Sequence, residues 1–328
     1  MLYYYALLYY NINLKQIKTM KKIHLISTLI GLLAFSTLAK ADLKVVTSIK
    51  PIHSLASYIM DGVGSPGLIV DGYNSPHSFQ LKPSHAKMLE QADIIFWIGE
   101  DLENFLEKPL DTIAKKAEKI ELLEIKGIKK LKFRERNIFE EHDDHGHDAK
   151  KEEHDDHEGH GHGEYDPHIW LDPINAKVIL NEITEHLIEN DSKNASTYKS
   201  NLAKALAEID KLIIDVITET NTDLSYVVFH DAYQYYENRF NVNILGAMTV
   251  NPDVMPGAEQ IHEIHEVIEH DNVSCILSEP QFNPDIIKSI AKDTNVKTGV
   301  LDPLGANLKP GKDLYFDLIR NMSASFNC

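Results

Sequence analysis

The feature that most limits the fold of this chain is an alternation. Short apolar, β-branched runs are separated by segments of helical spacing, and the order repeats along most of the sequence. LKVVTSI (43–49) reads as a buried strand; Pro51 ends it, and Ile52, Leu55 and Ile59 then share one helical face. Leu68-Ile69-Val70 is a short strand, and a turn-rich loop leads to Pro83, the first residue of a helix. DIIFWIG (93–99) is a third strand, 102–117 an amphipathic helix and KIELLEI (119–125) a fourth strand. The second half runs likewise, with strands 225–230, 242–248, 273–279 and 296–302 and helices over 232–240, 256–270, 284–294 and 312–326. A strand reached through a crossover helix pairs parallel to its predecessor. The expected fold class is therefore α/β, with mainly parallel sheets flanked by helices.

Between the halves, 174–190 reads as a helix and 194–220 as a long one, with Leu202, Leu206, Ile209, Ile213 and Ile217 along one stripe. At 1.5 Å per residue it spans roughly 40 Å, more than one lobe needs. The expected division is an N-terminal lobe over 42–193, a linking helix over 194–220 and a C-terminal lobe over 221–328.

Residues 1–41 read as an export region. Lys21 and Lys22 precede the apolar run Leu25–Leu38, and Ala39-Lys40-Ala41 has the small-x-small form of a signal-peptidase site. The signal starts at about Met20 and is cleaved after Ala41. Its apolar run is too short to span a bilayer, and no cysteine near the cut offers a lipid anchor. Residues 1–19 do not fit that signal; they read either as an upstream start or as an extended basic region.

The formal net charge is −17. Residues 1–41 carry lysines and no acids, so the exported part is more acidic still. Nucleic acid is a poor partner for such a surface, and cations are a good one. The two cysteines, Cys275 and Cys328, are an even pair in an exported chain, which suggests a disulfide; two free thiols are the alternative.

The alternation breaks between Glu140 and Glu164. This tract holds His142, His145, His147, His154, His157, His160 and His162, seven of the 17 histidines, among eleven acids and two lysines. With almost no apolar residues it cannot offset the entropy of ordering, so it reads as a disordered loop. Its imidazoles suit weak metal capture or sensing; its plainer reading is a solvated spacer.

Four other residues sit where open α/β sheets bind ligands, outside the carboxyl ends of strands. His77 lies in the loop after Leu68–Val70. His168 stands between Pro167 and Ile169-Trp170-Leu171. His230 ends SYVVFH, and Asp302 ends VKTGVLD. If two lobes face each other, these four converge. Three neutral imidazoles with a carboxylate or water make a tetrahedral zinc site. Each histidine taken alone reads equally well as a capping or core residue. Imidazole suits zinc, copper and nickel, whereas manganese leans on oxygen, so zinc is the expected ion and manganese or nickel the alternatives. His53 and His85 read as structural, and His186 as part of a polar helix face.

Other functions fit less well. QIHEIHEVIEH (260–270) lacks the spacing of a metalloprotease helix, because the residues four after His262 and His265 are both glutamate. That face reads as solvated. A zinc hydrolase needs a general base, and no motif supplies one. A metal-storage or adhesive protein would differ from a transport receptor in stoichiometry.

The segments VVTSIKPIHSL, PHSFQLKPS, DIIFWIGEDLE, DPHIWLDP, VVFHDAYQYY, SEPQF and LDPLG, with the His-rich insertion, resemble those of periplasmic zinc-binding proteins of ABC-type zinc uptake systems. These belong to the wider solute-binding family for zinc and manganese, and the resemblance covers Asp42 to Cys328. It implies two α/β lobes joined by a long rigid helix, a metal site in the interlobe cleft, and a Cys275–Cys328 disulfide. It implies a non-enzymatic, monomeric periplasmic protein that hands Zn2+ to an inner-membrane permease with its ATPase subunit. The family's ligands carry over to His77, His168 and His230. The aspartate of LDPLG is a fourth ligand in manganese-type relatives and sits near the site in zinc-type ones. Some zinc members place a glutamate before the first histidine; here it is Pro76, so the fourth ligand is Asp302 or water.

Overall fold

The computed structural model describes residues 42–134, 136–139, 163–252 and 254–328. The expected export region, 1–41, and all seven histidines of the tract lie outside the described residues.

The first alternation builds one sheet. Strand β1 (Val45–Ile49) leads into α1 (Lys50–Ile59), β2 (Gly67–Val70), α2 (Pro83–Gln91), β3 (Ile94–Trp97), α3 (Glu100–Thr112) and β4 (Glu118–Glu121). All pairs are parallel, in the order β2-β1-β3-β4. β1 and β3 are buried on both faces, as their unbroken β-branched and aromatic runs require. Helix α3 stops at Thr112, short of the expected 117.

The middle of the chain is a 3-10 turn (Ile169–Leu171), then α4 (Pro173–Asn190) and α5 (Ala195–Glu219). Asp172 caps α4 by accepting the Ile174 N–H, and Pro173 fills its first turn. Helix α5 has 25 residues, a span of about 37 Å. Its fully buried line is Tyr198, Ala205, Ile209, Leu212 and Val216, while Ile217, expected inside, is 57% exposed. The helix packs against α4, α1 and the C-terminal helix, so its buried arc is centred one residue earlier than the expected stripe.

The second alternation repeats the first. It runs β5 (Ser225–His230), α6 (Gln234–Phe240), β6 (Asn243–Thr249), α7 (Ala258–His270), β7 (Cys275–Ser278), α8 (Asp285–Thr294), β8 (Lys297–Val300) and α9 (Leu314–Ser325). The strands are again all parallel, in the order β6-β5-β7-β8. Cys275 is disulfide-bonded to Cys328 across 53 residues. One apolar core runs from the first sheet through α4 and α5 to the inner face of the second, and a smaller one covers the other face of the second sheet. Among the described residues no helix is long and apolar enough to cross a membrane.

In both sheets the chain order reverses beside the central strand, between β1 and β3 and between β5 and β7. Such reversals open a crevice at the strand carboxyl ends. The borders of the His-rich tract are fixed at different places. Ile138 bridges antiparallel to Gly246 on the β6 edge, with Phe139 N–H donating to Leu245 O at 2.8 Å. A Cβ at residue 246 would lie 2.6 Å from the Asn137 carbonyl, so only glycine admits this approach. On the far side, Tyr165 bridges to Lys132 and Gly163 N–H donates to Asp101.

Candidate metal centre

His230 is the last residue of β5, and Glu279 follows the end of β7, so the two flank the second sheet's crevice. His168 reaches the same point from the turn that begins Ile169–Leu171. That turn is held by the second half of the chain: Trp170 Nε1 donates to Pro303 O at 2.8 Å, and Tyr315 Oη to Trp170 O at 2.8 Å. Arg239 grips Asp172 with two hydrogen bonds of 2.7 and 2.8 Å. His77 arrives from the loop after β2, its backbone N–H donating to Ser75 Oγ at 3.2 Å.

The three rings meet. Their centroids are separated by 5.5 Å (His77–His168), 5.7 Å (His77–His230) and 5.2 Å (His168–His230). One nitrogen from each lies within 4.8 Å of the other two. His168 and His230 are almost fully buried, and Pro76, Trp170, Phe282, Pro303 and Leu304 wall the pocket. Ser75, Glu279 and Gln281 are the other polar members of an otherwise apolar lining.

A buried carboxylate orients each of the two deep rings. Asp166 Oδ1 lies 2.7 Å from His168 Nδ1 and also accepts the His168 N–H at 2.9 Å. Glu279 Oε1 lies 2.6 Å from His230 Nδ1. With the Nδ1 protons committed to these oxygens, both Nε2 lone pairs point inward, 3.4 Å apart. Carboxylate–imidazole pairs of this kind fix the tautomer and raise the basicity of a metal ligand.

The electrostatics differ between the two rings. Burial, with the nearby charge of His230, holds His168 well below the usual imidazole pKa, so it stays neutral. Burial also works against the charged form of His230, but Glu279, Asp231 and Asp166 outweigh it and push the pKa up. Burial raises the Asp166 and Asp231 carboxyls to about 7. Arg134, at the edge of the His-rich tract, offsets this by donating to Asp231 at 3.0 Å and to Glu237 at 3.0 and 2.8 Å.

Asp302 is not brought into this group of nitrogens. Its Oδ1 accepts from Leu304 N (3.1 Å), Gly305 N (2.9 Å) and Gln281 Nε2 (2.9 Å), and Oδ2 takes the Ala306 N–H. Its acceptor capacity goes to the loop that follows it. His53 is buried beside Ser57, His85 stacks on Phe79, and His262 is exposed next to Glu266, so none of the three joins the centre. Reading the sequence missed Asp166 and Glu279 as orienting groups. Both stand in segments already singled out, DPHIWLDP and SEPQF, the first two residues before His168 and the second just past a strand end.

Two parallel sheets that bring three imidazoles together beside their strand ends define a class, the two-lobed metal-type solute-binding proteins. The family model described as zinc-uptake complex component A, periplasmic, matches residues 45–327, and the chain belongs to that family. It is 45% identical to the high-affinity zinc uptake system protein ZnuA of Brucella abortus, over 94% of this chain and 98% of the relative. It is 36% identical to the ZnuA of Yersinia pestis, over 87% of this chain and 91% of the relative. A crystal structure of ZnuA superposes with a TM-score of 0.69 at 22% identity, covering 87% of this chain and all (100%) of that one. The laminin-binding adhesin of Streptococcus agalactiae gives a TM-score of 0.70 at 23% identity, over 87% of this chain and 98% of the other. At such identities the structural likeness is one of fold.

Proposed function

We propose that this protein is the zinc-binding component of an ABC-type import system, capturing Zn2+ in the periplasm and delivering it to a membrane permease. The observation that carries this reading is the convergence of His77, His168 and His230 in one largely apolar pocket. Three imidazole nitrogens with an added water complete a tetrahedron suited to zinc. Asp302 is committed to its own loop, so the donors that converge are imidazole nitrogens, which suit zinc better than manganese. The 45% identical relative is named for high-affinity zinc uptake, which supports the same cargo.

The protein acts as a monomeric carrier rather than an enzyme on this reading. The histidines of the 140–162 tract supply additional weak sites that raise the zinc concentration near the cleft. Zinc titration against a competing chelator tests the assignment. The protein binds one zinc tightly and several weakly, and His230→Ala removes the tight one. Tight binding that survives His230→Ala overturns the proposal.

A further inference from the structure

A second group of metal-ligating side chains lies at the amino end of β4, the end of the first sheet opposite the cleft. Glu118 begins β4, and His186 and Glu189 stand one turn apart on α4. One ligand atom from each lies within 4.8 Å of the other two. His186 was expected on a polar helix face. Instead its side chain is only 19% exposed and meets Phe96 edge-on, with ring centroids 6.2 Å apart.

The hydrogen bonding of His186 is incomplete in an informative way. Its Nε2 lies 3.2 Å from Glu182 Oε1 and is bonded to it. Its Nδ1 is shielded from solvent and lies 2.8 Å from Glu118 Oε1, at ion-pair distance but without a hydrogen bond. A neutral imidazole has one donor and one lone pair. With the proton on Nε2, the Nδ1 lone pair is left against a carboxylate oxygen, two acceptors in contact. A second proton on the ring, or a cation bound by both atoms, resolves this.

We propose that Glu118, His186 and Glu189 form a second, surface site for a divalent transition-metal ion such as zinc, with Nδ1 of His186 as its nitrogen ligand. The outer contacts suit the role. Glu182 takes the far N–H of the imidazole, and Asn190 Nδ2 donates to the second oxygen of Glu118 at 3.0 Å. Ligands held from behind in this way are the usual setting of a metal site. Glu189 is exposed and the other two ligands are only half-buried, so binding here is weaker than among the deeper imidazoles of the cleft. The site does not depend on the assignment of the cleft.

The test uses the full exported chain labelled with 15N-histidine, with Zn2+ as the probe. The His186 ring resonances, identified by their loss in His186→Ala, shift on zinc addition beyond the first equivalent. The surface substitutions Glu118→Gln and Glu189→Gln each weaken that shift's zinc dependence by about tenfold or more. Resonances that stay in place while other histidines respond overturn the site, as does an equal response in the Glu118→Gln, Glu189→Gln double variant. Loss of tight binding in His230→Ala with the His186 response retained separates the two sites.

Discussion

His168 and His230 present their Nε2 atoms to each other at 3.4 Å, and each is anchored from behind by a buried carboxylate, Asp166 or Glu279. Two lone pairs facing each other at this distance repel unless a cation or a proton stands between them. The arrangement is poised for an ion, and the carboxylates keep it so. Asp166→Asn and Glu279→Gln therefore weaken zinc binding by about 10–100-fold without removing a ligand. Competition with a chromophoric chelator reads this directly, and affinities unchanged in both variants would remove the orienting role.

The same geometry sets a pH dependence. Burial holds His168 neutral, whereas Glu279, Asp231 and Asp166 raise the His230 pKa against the burial that opposes its charge. Zinc needs both nitrogens bare, so loading releases the His230 proton. Below the raised His230 pKa, apparent affinity falls by about tenfold per pH unit; above it the affinity levels off. Calorimetry in buffers of different ionisation enthalpy checks the proton count, and zero protons released at pH 6 contradicts it.

The first sheet's crevice is filled by a different group. Glu103 is fully buried there, and its Oε2 accepts the N–H groups of Ile98 at 2.9 Å and Gly99 at 3.0 Å. Burial pushes its pKa up to about 7, against the opposing pull of Ser48 and the two amides. The folded chain then holds a proton that the unfolded chain releases above an ordinary carboxyl pKa. As pH rises through this window, stability falls, by about 3 kcal/mol in all from this group. Glu103→Gln keeps an acceptor for the amides and removes the loss. Denaturant unfolding shows the variant gaining on the parent protein between pH 5 and pH 8; a constant difference over that range contradicts the assignment.

Much of this was legible in the sequence, for physical reasons. Doubly buried parallel strands are continuous apolar runs, so β1, β3 and β5 announce themselves, and a polar residue closing such a run, like His230, marks a strand end in the crevice. The centre of the α5 stripe was less legible, because packing against three helices broadens the buried arc until periodicity no longer locates its middle. The His186 group was hidden because its partner Glu118 is remote in sequence and belongs to a strand whose register only the sheet defines. Asp302 follows a strand end, but which way a carboxylate spends its acceptors depends on the loop that follows it.

That loop supplies the last prediction. Asp302 gathers the N–H groups of Leu304, Gly305 and Ala306, while Lys50, reaching from α1, donates to the carbonyls of Gly305 (2.6 Å), Ala306 (3.0 Å) and Leu308 (2.7 Å). The segment is held from both poles, and it carries Pro303 and Leu304 into the wall of the metal pocket. Asp302→Asn replaces one acceptor oxygen by an amide that faces a backbone N–H, which costs about 1–3 kcal/mol of stability. The Co2+-substituted protein keeps its visible absorption bands, because the ligand set is unchanged. A shifted cobalt spectrum with an unaltered unfolding midpoint would place the carboxylate on the ion instead of on the loop.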